Sequence, residues 1–162
     1  MSATIVTETR GLPGTVASAA AARHFIRQAL SSVRCPDSSD AELCVSELVA
    51  NSAEHSLSSG PNGTILVRVD AWPGGARVEV RDAGPRTNAG IPAMPESQPP
   101  LDAESARGLW LVGQVADTFG FAPGVAWCQF SWPGGTGVPV LPPVAVIPAR
   151  LSPDCEHLKE MR

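Results

Sequence analysis

Between Thr64 and Asp82 the residues alternate, and this pattern constrains the fold more than any other feature of the chain. Ile65, Val67, Val69 and Ala71 fall on one side of an extended segment, with Arg68 and Asp70 on the other. Pro73-Gly74-Gly75 turns the chain, and Ala76, Val78 and Val80 then alternate with Arg77, Glu79 and Arg81. The two runs predict an antiparallel hairpin with one apolar face. One residue further, the same period places Asp82 on the side of Val78 and Val80. A carboxylate on the buried side of a strand end is costly unless it finds a partner, which makes Asp82 the first candidate functional residue.

Residues 3 to 8 are β-prone and predict a first strand, broken by Gly11-Leu12-Pro13-Gly14. From Thr15, the three- and four-residue spacing of Val16, Ala19, Ala22, Ile26, Ala29 and Val33 predicts a helix with one apolar face. A loop at 35–39 follows, in which Ser38 or Ser39 can cap the next helix. That helix runs from about Asp40 to Ser56, with Ala41, Val45, Leu48, Val49 and Ser52 inward, and Gly60-Pro61-Asn62-Gly63 ends it. Glu47, Asn51 and His55 stand at i, i+4 and i+8, a separate polar stripe beside that face. Residues 83–106 hold Pro85, Pro92, Pro95, Pro99 and Pro100 and fit no regular element, so they read as a lid or binding loop. A third helix is predicted over 108–118, with Leu109, Val112, Val115 and Ala116 for packing, and a last strand over 125–132. The organisation is one domain over 1–132 with its lid at 83–106. Residues 133–162 read as an extended, partly disordered Pro/Gly-rich tail.

Composition excludes several classes of function. A chain of 162 residues, 43% hydrophobic and 17% charged, can bury a core and is not disordered. The net charge of -4, with no basic run, argues against nucleic acid as a direct partner. Cys35, Cys44, Cys128 and Cys155 form no Cys-x-x-Cys pair and no metal spacing with His24, His55 or His157, so free thiols in a reducing compartment are expected. No leader pattern and no membrane-spanning run is visible, so the expectation is a cytoplasmic chain without a membrane partner.

Three segments carry chemistry, and each also has a structural reading. Glu47 and Asn51 fit a solvated helix stripe. They also fit an amide oxygen held to a hard cation such as Mg²⁺, with an acid one turn away that orients or deprotonates a nucleophile. Asp82-Ala83-Gly84 fits a turn, or a carboxylate that accepts a hydrogen bond from an exocyclic amine such as adenine N6 while Gly84 admits the base. Arg107-Gly108-Leu109 fits a glycine near a helix start, or free N–H groups of a first turn that bind phosphate, with Arg107 adding donors. His55 fits packing at a helix end as well as a site role.

In this order the segments resemble the GHKL, or Bergerat-fold, ATP-binding domains, most of all the anti-sigma-factor serine/threonine kinase branch with its small actinobacterial ATP-binding regulators. Ser46-Glu47-Leu48-Val49-Ala50-Asn51 with His55 is similar to the family's N box, Asp82-Ala83-Gly84 to its first glycine box, and Arg107-Gly108-Leu109-Trp110-Leu111-Val112 to its second. The likeness spans roughly residues 8 to 132. It implies a two-layer α/β sandwich, a mixed, mainly antiparallel sheet with helices on one face. It also implies ATP and Mg²⁺ as cofactors. By the same resemblance Asn51 holds Mg²⁺, Glu47 is the catalytic base and Asp82 reads adenine. Gly84, Arg107 and Gly108 line lid and phosphates, and Leu109 and His55 complete the boxes around the nucleotide. The implied activity is transfer of the ATP γ-phosphate to Ser or Thr of an antagonist protein, in competition with a sigma factor, and a homodimer is compatible with it. Pro85-Arg86 and Ser105-Ala106 stand where the family often has glycine, and Gly124-Val125-Ala126-Trp127 lacks a frequent Thr. These departures favour the alternative, a non-catalytic module that sequesters a partner with weak or no nucleotide binding.

Overall fold

The structure is a computed structural model that describes residues 5–86, 97–100, 104–135, 139 and 141. Five strands and three helices follow one another as β1 (Val6–Gly14), α1 (Ser18–Ser31), α2 (Ser39–His55), β2 (Gly60–Trp72), β3 (Gly75–Arg81), α3 (Glu104–Val115), β4 (Thr118–Ala122) and β5 (Val125–Ser131). The strands form one sheet in the order β1-β2-β3-β5-β4. Every pair is antiparallel, in line with the mainly antiparallel sheet that the resemblance implies. The β2–β3 hairpin has the predicted register, with Val67 opposite Val80, Val69 opposite Val78, and Trp72 closing on Gly75 across Pro73-Gly74.

All three helices lie on one face of the sheet. α1 packs on β1 and β2, α2 on β2, β3 and β5, and α3 on β4, with α2 between the other two. The core is built from the inward positions: Ile65, Val67, Val69, Val78 and Val80 beneath Ile26, Leu30, Val45, Leu48, Val49 and Val112. This is the two-layer α/β sandwich that the family resemblance implies.

Several boundaries differ from expectation for physical reasons. β1 does not break at Gly11-Leu12-Pro13-Gly14 but runs through it, with Leu12 buried opposite Ile65 and Pro13 opposite Thr64. It is an edge strand, so the missing N–H of Pro13 costs the ladder nothing on its open side. In α1 the buried stripe uses Phe25 and Leu30, and Val16, outside the helix, is exposed. α3 starts at Glu104 and ends at Val115, against the expected 108–118, so it begins four residues early and ends three early. The residues freed at its end feed β4, a short strand whose Phe119 and Phe121 point into the core.

The break after α2 falls at 56–59, and Gly60 already belongs to β2. The Ser58 carbonyl enters a slot between Gly14 and Gly63, where a Cβ on either glycine would collide with it. That slot joins the end of α2 to the start of the sheet. Gly63→Ala therefore forces backbone against backbone, and overpacking of this kind typically costs about 1–3 kcal/mol. At about 2–4 °C per kcal/mol for a chain of this size, thermal unfolding followed by circular dichroism should show the variant melting several degrees below the parent. An unchanged melting temperature would contradict the slot.

Candidate functional site

β3 delivers Asp82 to the end of α2. The Ser52 hydroxyl, on the inward face of α2, donates to Asp82 Oδ2 at 2.6 Å. The Gly84 amide donates to Asp82 Oδ1 at 2.8 Å, closing an Asx turn. The Asp82 amide in turn donates to the Gly124 carbonyl at 3.0 Å. Gly124 has φ 73°, and a Cβ there would stand 2.9 Å from the Asp82 carbonyl oxygen. Both carboxylate oxygens are thus held by donors, yet each has a second lone pair. Asp82 is half-buried, fixed in direction and still able to accept a hydrogen bond.

The chain beyond Asp82 is laced to the loop after α2. The Ala83 amide donates to the Ser58 hydroxyl at 2.9 Å. The Leu57 amide donates to the Gly84 carbonyl at 2.8 Å, and the Arg86 amide to the His55 carbonyl at 3.2 Å. The Arg86 guanidinium reaches the Ser56 carbonyl at 3.0 Å. Cations near a helix C-terminus complement its unpaired carbonyls. The first four residues of the 83–106 loop are therefore anchored. Residues 87–96 and 101–103 lie outside the described residues, and 104–106 are helical rather than loop.

Two other sequence segments meet across the α2–α3 contact. Glu47 sits against Gly108, where a Cβ would collide with its carboxylate oxygen and lie 3.2 Å from its Cδ. A side chain at position 108 would push that carboxylate aside. Glu47 is half-buried, and this burial, with the neighbouring Glu54 charge, raises its pKa above the ordinary carboxylate range. Asn51, one turn on, is also half-buried. Among the described residues neither the Glu47 carboxylate nor the Asn51 amide has a hydrogen-bond partner.

The remaining candidates are placed less directly. Gly108 is the fifth residue of α3 instead of its first, so the unpaired donors of the first turn belong to residues 104–107. Leu109 is buried in the core and acts there through packing. Arg107 is half-exposed. The His55 ring is exposed beside Glu54, at 3.6 Å, and His55 meets the loop through its backbone carbonyl. Ser52, Ser58 and Gly124 are structural parts of the site that sequence reasoning did not single out. A signal for Ser52 existed: it is a hydroxyl on an otherwise apolar inner face, one turn beyond Leu48.

Residues 12–132 match the family model of the histidine kinase-like ATPase domain, and the chain belongs to that family. Domains of this family bind ATP, usually with Mg²⁺. No protein with curated function matches the chain. Among the described residues no cluster of three His, Cys, Asp or Glu can hold a metal, and no helix is long and apolar enough to cross a membrane. The residues present nonetheless fit the family's ligands. Asp82 keeps acceptor capacity, and a single unpartnered amide at Asn51 suits Mg²⁺, which keeps several waters and takes other oxygens from phosphates.

The raised pKa of Glu47 gives a prediction with a definite sign. The folded state binds this proton more tightly than the unfolded chain does. The ionised side chain is therefore a stability cost, absent below the ordinary carboxylate pKa of about 4.3 and growing as pH rises through the raised value. Glu47→Gln should raise the melting temperature at pH 7 and leave it nearly unchanged at pH 4. Thermal unfolding at both pH values checks this, and a destabilised variant at pH 7 would contradict it.

Proposed function

We propose that this chain is a cytoplasmic ATP-binding regulator with serine/threonine protein kinase activity, acting as an anti-sigma-type factor by phosphorylating an antagonist protein. The observation that carries the kinase reading is the Glu47 carboxylate, half-buried against Gly108 with a pKa raised by burial. A general base works best when its pKa is lifted toward working pH. In the proposed step, Glu47 takes the proton of a Ser or Thr hydroxyl as its oxygen bonds to the γ-phosphorus of ATP. The bond from that phosphorus to the β–γ bridging oxygen breaks, and ADP carries the electron pair away. Asn51 would hold Mg²⁺, which when bound shields the phosphate charge. Asp82, oriented by Ser52 and Gly84, accepts the adenine amine. On this reading Gly84, Arg107 and Gly108 would line the lid and the phosphates.

Calorimetric titration with ATP and Mg²⁺ tests the binding half. A hydrogen bond to a charged group contributes about 1.5–3 kcal/mol, or roughly ten- to a hundredfold in affinity. Asp82→Asn should weaken ATP by that order, and the parent should prefer ATP to GTP. Equal affinity for the two nucleotides would remove the adenine-reading role.

Phosphate transfer from radiolabelled ATP to candidate antagonist proteins tests the catalytic half. Asn51→Ala should lose Mg²⁺-dependent binding and turnover together. Glu47→Gln should keep binding and lose transfer by about 10²–10⁴-fold. Binding of ATP without labelling of any antagonist would point to the partner-sequestering module instead. An equal labelling rate for Glu47→Gln would remove Glu47 as the base.

A further inference from the structure

The sheet face turned away from the helices is buried without any described element lying across it. On this face Trp72 is 1% exposed, Asp70 2%, Glu79 2%, Trp127 3% and Arg77 4%. Their mutual contacts account for part of this. The Arg77 guanidinium stacks over the Trp127 ring at 4.6 Å. Glu79 accepts from Arg81 at 2.8 Å and is paired with Arg77 at 3.1 Å. Asp70 accepts from the Thr7 hydroxyl at 2.6 Å and from Arg68 at 2.9 Å. Such contacts shield side chains laterally, but one open layer leaves their outer surfaces to water. Burial of the central strand β3 at nearly every position is the mark of a sheet covered on both faces.

The burial also has a direction. It is complete at the Trp72–Gly75 end and through the centre. It fades at the opposite end, where Leu66 is 42% exposed and the Arg81 side chain 50%. The complete end is where the chain returns after β5. The Trp132 amide donates to the Gly74 carbonyl at 2.9 Å. Gly135 rests on Pro73 and Gly74 so closely that a Cβ on Gly74 or Gly135 would collide with the other's backbone. Pro139 and Leu141, the two residues described beyond it, are both half-buried.

The sequence leaving Gly135 has the chemistry this face needs. Residues 136–149, Thr-Gly-Val-Pro-Val-Leu-Pro-Pro-Val-Ala-Val-Ile-Pro-Ala, contain no charged residue. Such a stretch is poorly suited to solvent, and its prolines prevent it from joining the sheet as an interior strand. At ~3.1 Å per residue its reach is ~43 Å. Crossing from β2 over β3 to β5 takes only ~10 Å at ~4.8 Å per strand. We infer that the open face of the sheet, around Trp72, Arg77 and Trp127, is the docking surface for this chain's own C-terminal segment, residues 136–149.

The test uses the full chain with a benzophenone amino acid at Leu141. Irradiation should give adducts to peptides from β2, β3 or β5 within the same chain, with a yield that does not change on dilution. Adducts joining two copies would overturn the proposal and make the face a self-association surface. Adducts confined to other parts of the molecule, or none, would overturn it as well. A second measurement is acrylamide quenching of the tryptophans in Leu141→Asp. A steeper quenching slope and a red-shifted emission, with the far-ultraviolet dichroism of the parent, support the docked segment. Quenching and emission equal to the parent's would overturn it.

Discussion

The hydrogen bond from Ser52 to Asp82 joins the two layers of this protein where β3 meets the end of α2. Asp82 leaves the sheet at the end of β3, and a carboxylate half-removed from water there needs donors. Ser52 supplies one from α2 and Gly84 another from the following turn. The same bond fixes where β3 ends relative to α2. Ser56 and Ser58 then receive the returning chain, and the Ser58 carbonyl locks into the slot between Gly14 and Gly63. Helix, strand end and loop are thus held by one chain of polar contacts instead of by apolar packing alone.

The two faces of the sheet solve the burial problem differently. The helix side is filled by Val, Ile, Leu and Phe in alternating positions, as close-packed interiors require. The other side carries charges, and they stay near the middle of the sheet because each finds an opposite partner two residues away on the same strand and face. Trp72 lies over Gly75, and Trp127 under Arg77, so large rings fill the places where a neighbour has no side chain or a flat one.

The hairpin, the course of α2 and the direction of Asp82 were legible in the sequence because strand and helix periods are local properties. The Glu47–Asn51 stripe was legible for the same reason. What pairs with these groups was not. That Glu47 meets Gly108, 61 positions along the chain, is set by the angle of α3 on α2, which no window of residues records. The continuation of β1 through Pro13 depended on its being an edge strand, a fact of strand order. β4 was obscured by its brevity, although Phe119 and Phe121 alternate as a strand should. The loop anchoring through Arg86 was hidden because a cation at a helix C-terminus is recognisable only when the helix end is known.

α2 holds Glu47, Asn51 and Ser52 on one rigid rod. A helix rises 1.5 Å per residue, so the level at which Ser52 clamps Asp82 and the level of Glu47 differ by ~7.5 Å along its axis. That interval does not depend on what any loop does. On the proposed reading the helix serves as a gauge between Asp82, at the adenine end of the nucleotide, and Glu47, at the phosphate end. Changes of loop length, which surface segments tolerate easily, leave the gauge unaltered. An insertion or deletion of one residue between Glu47 and Ser52 would turn one mark by about 100° relative to the other. The spacing within this single helix is thus independent of the lengths of the loops around it.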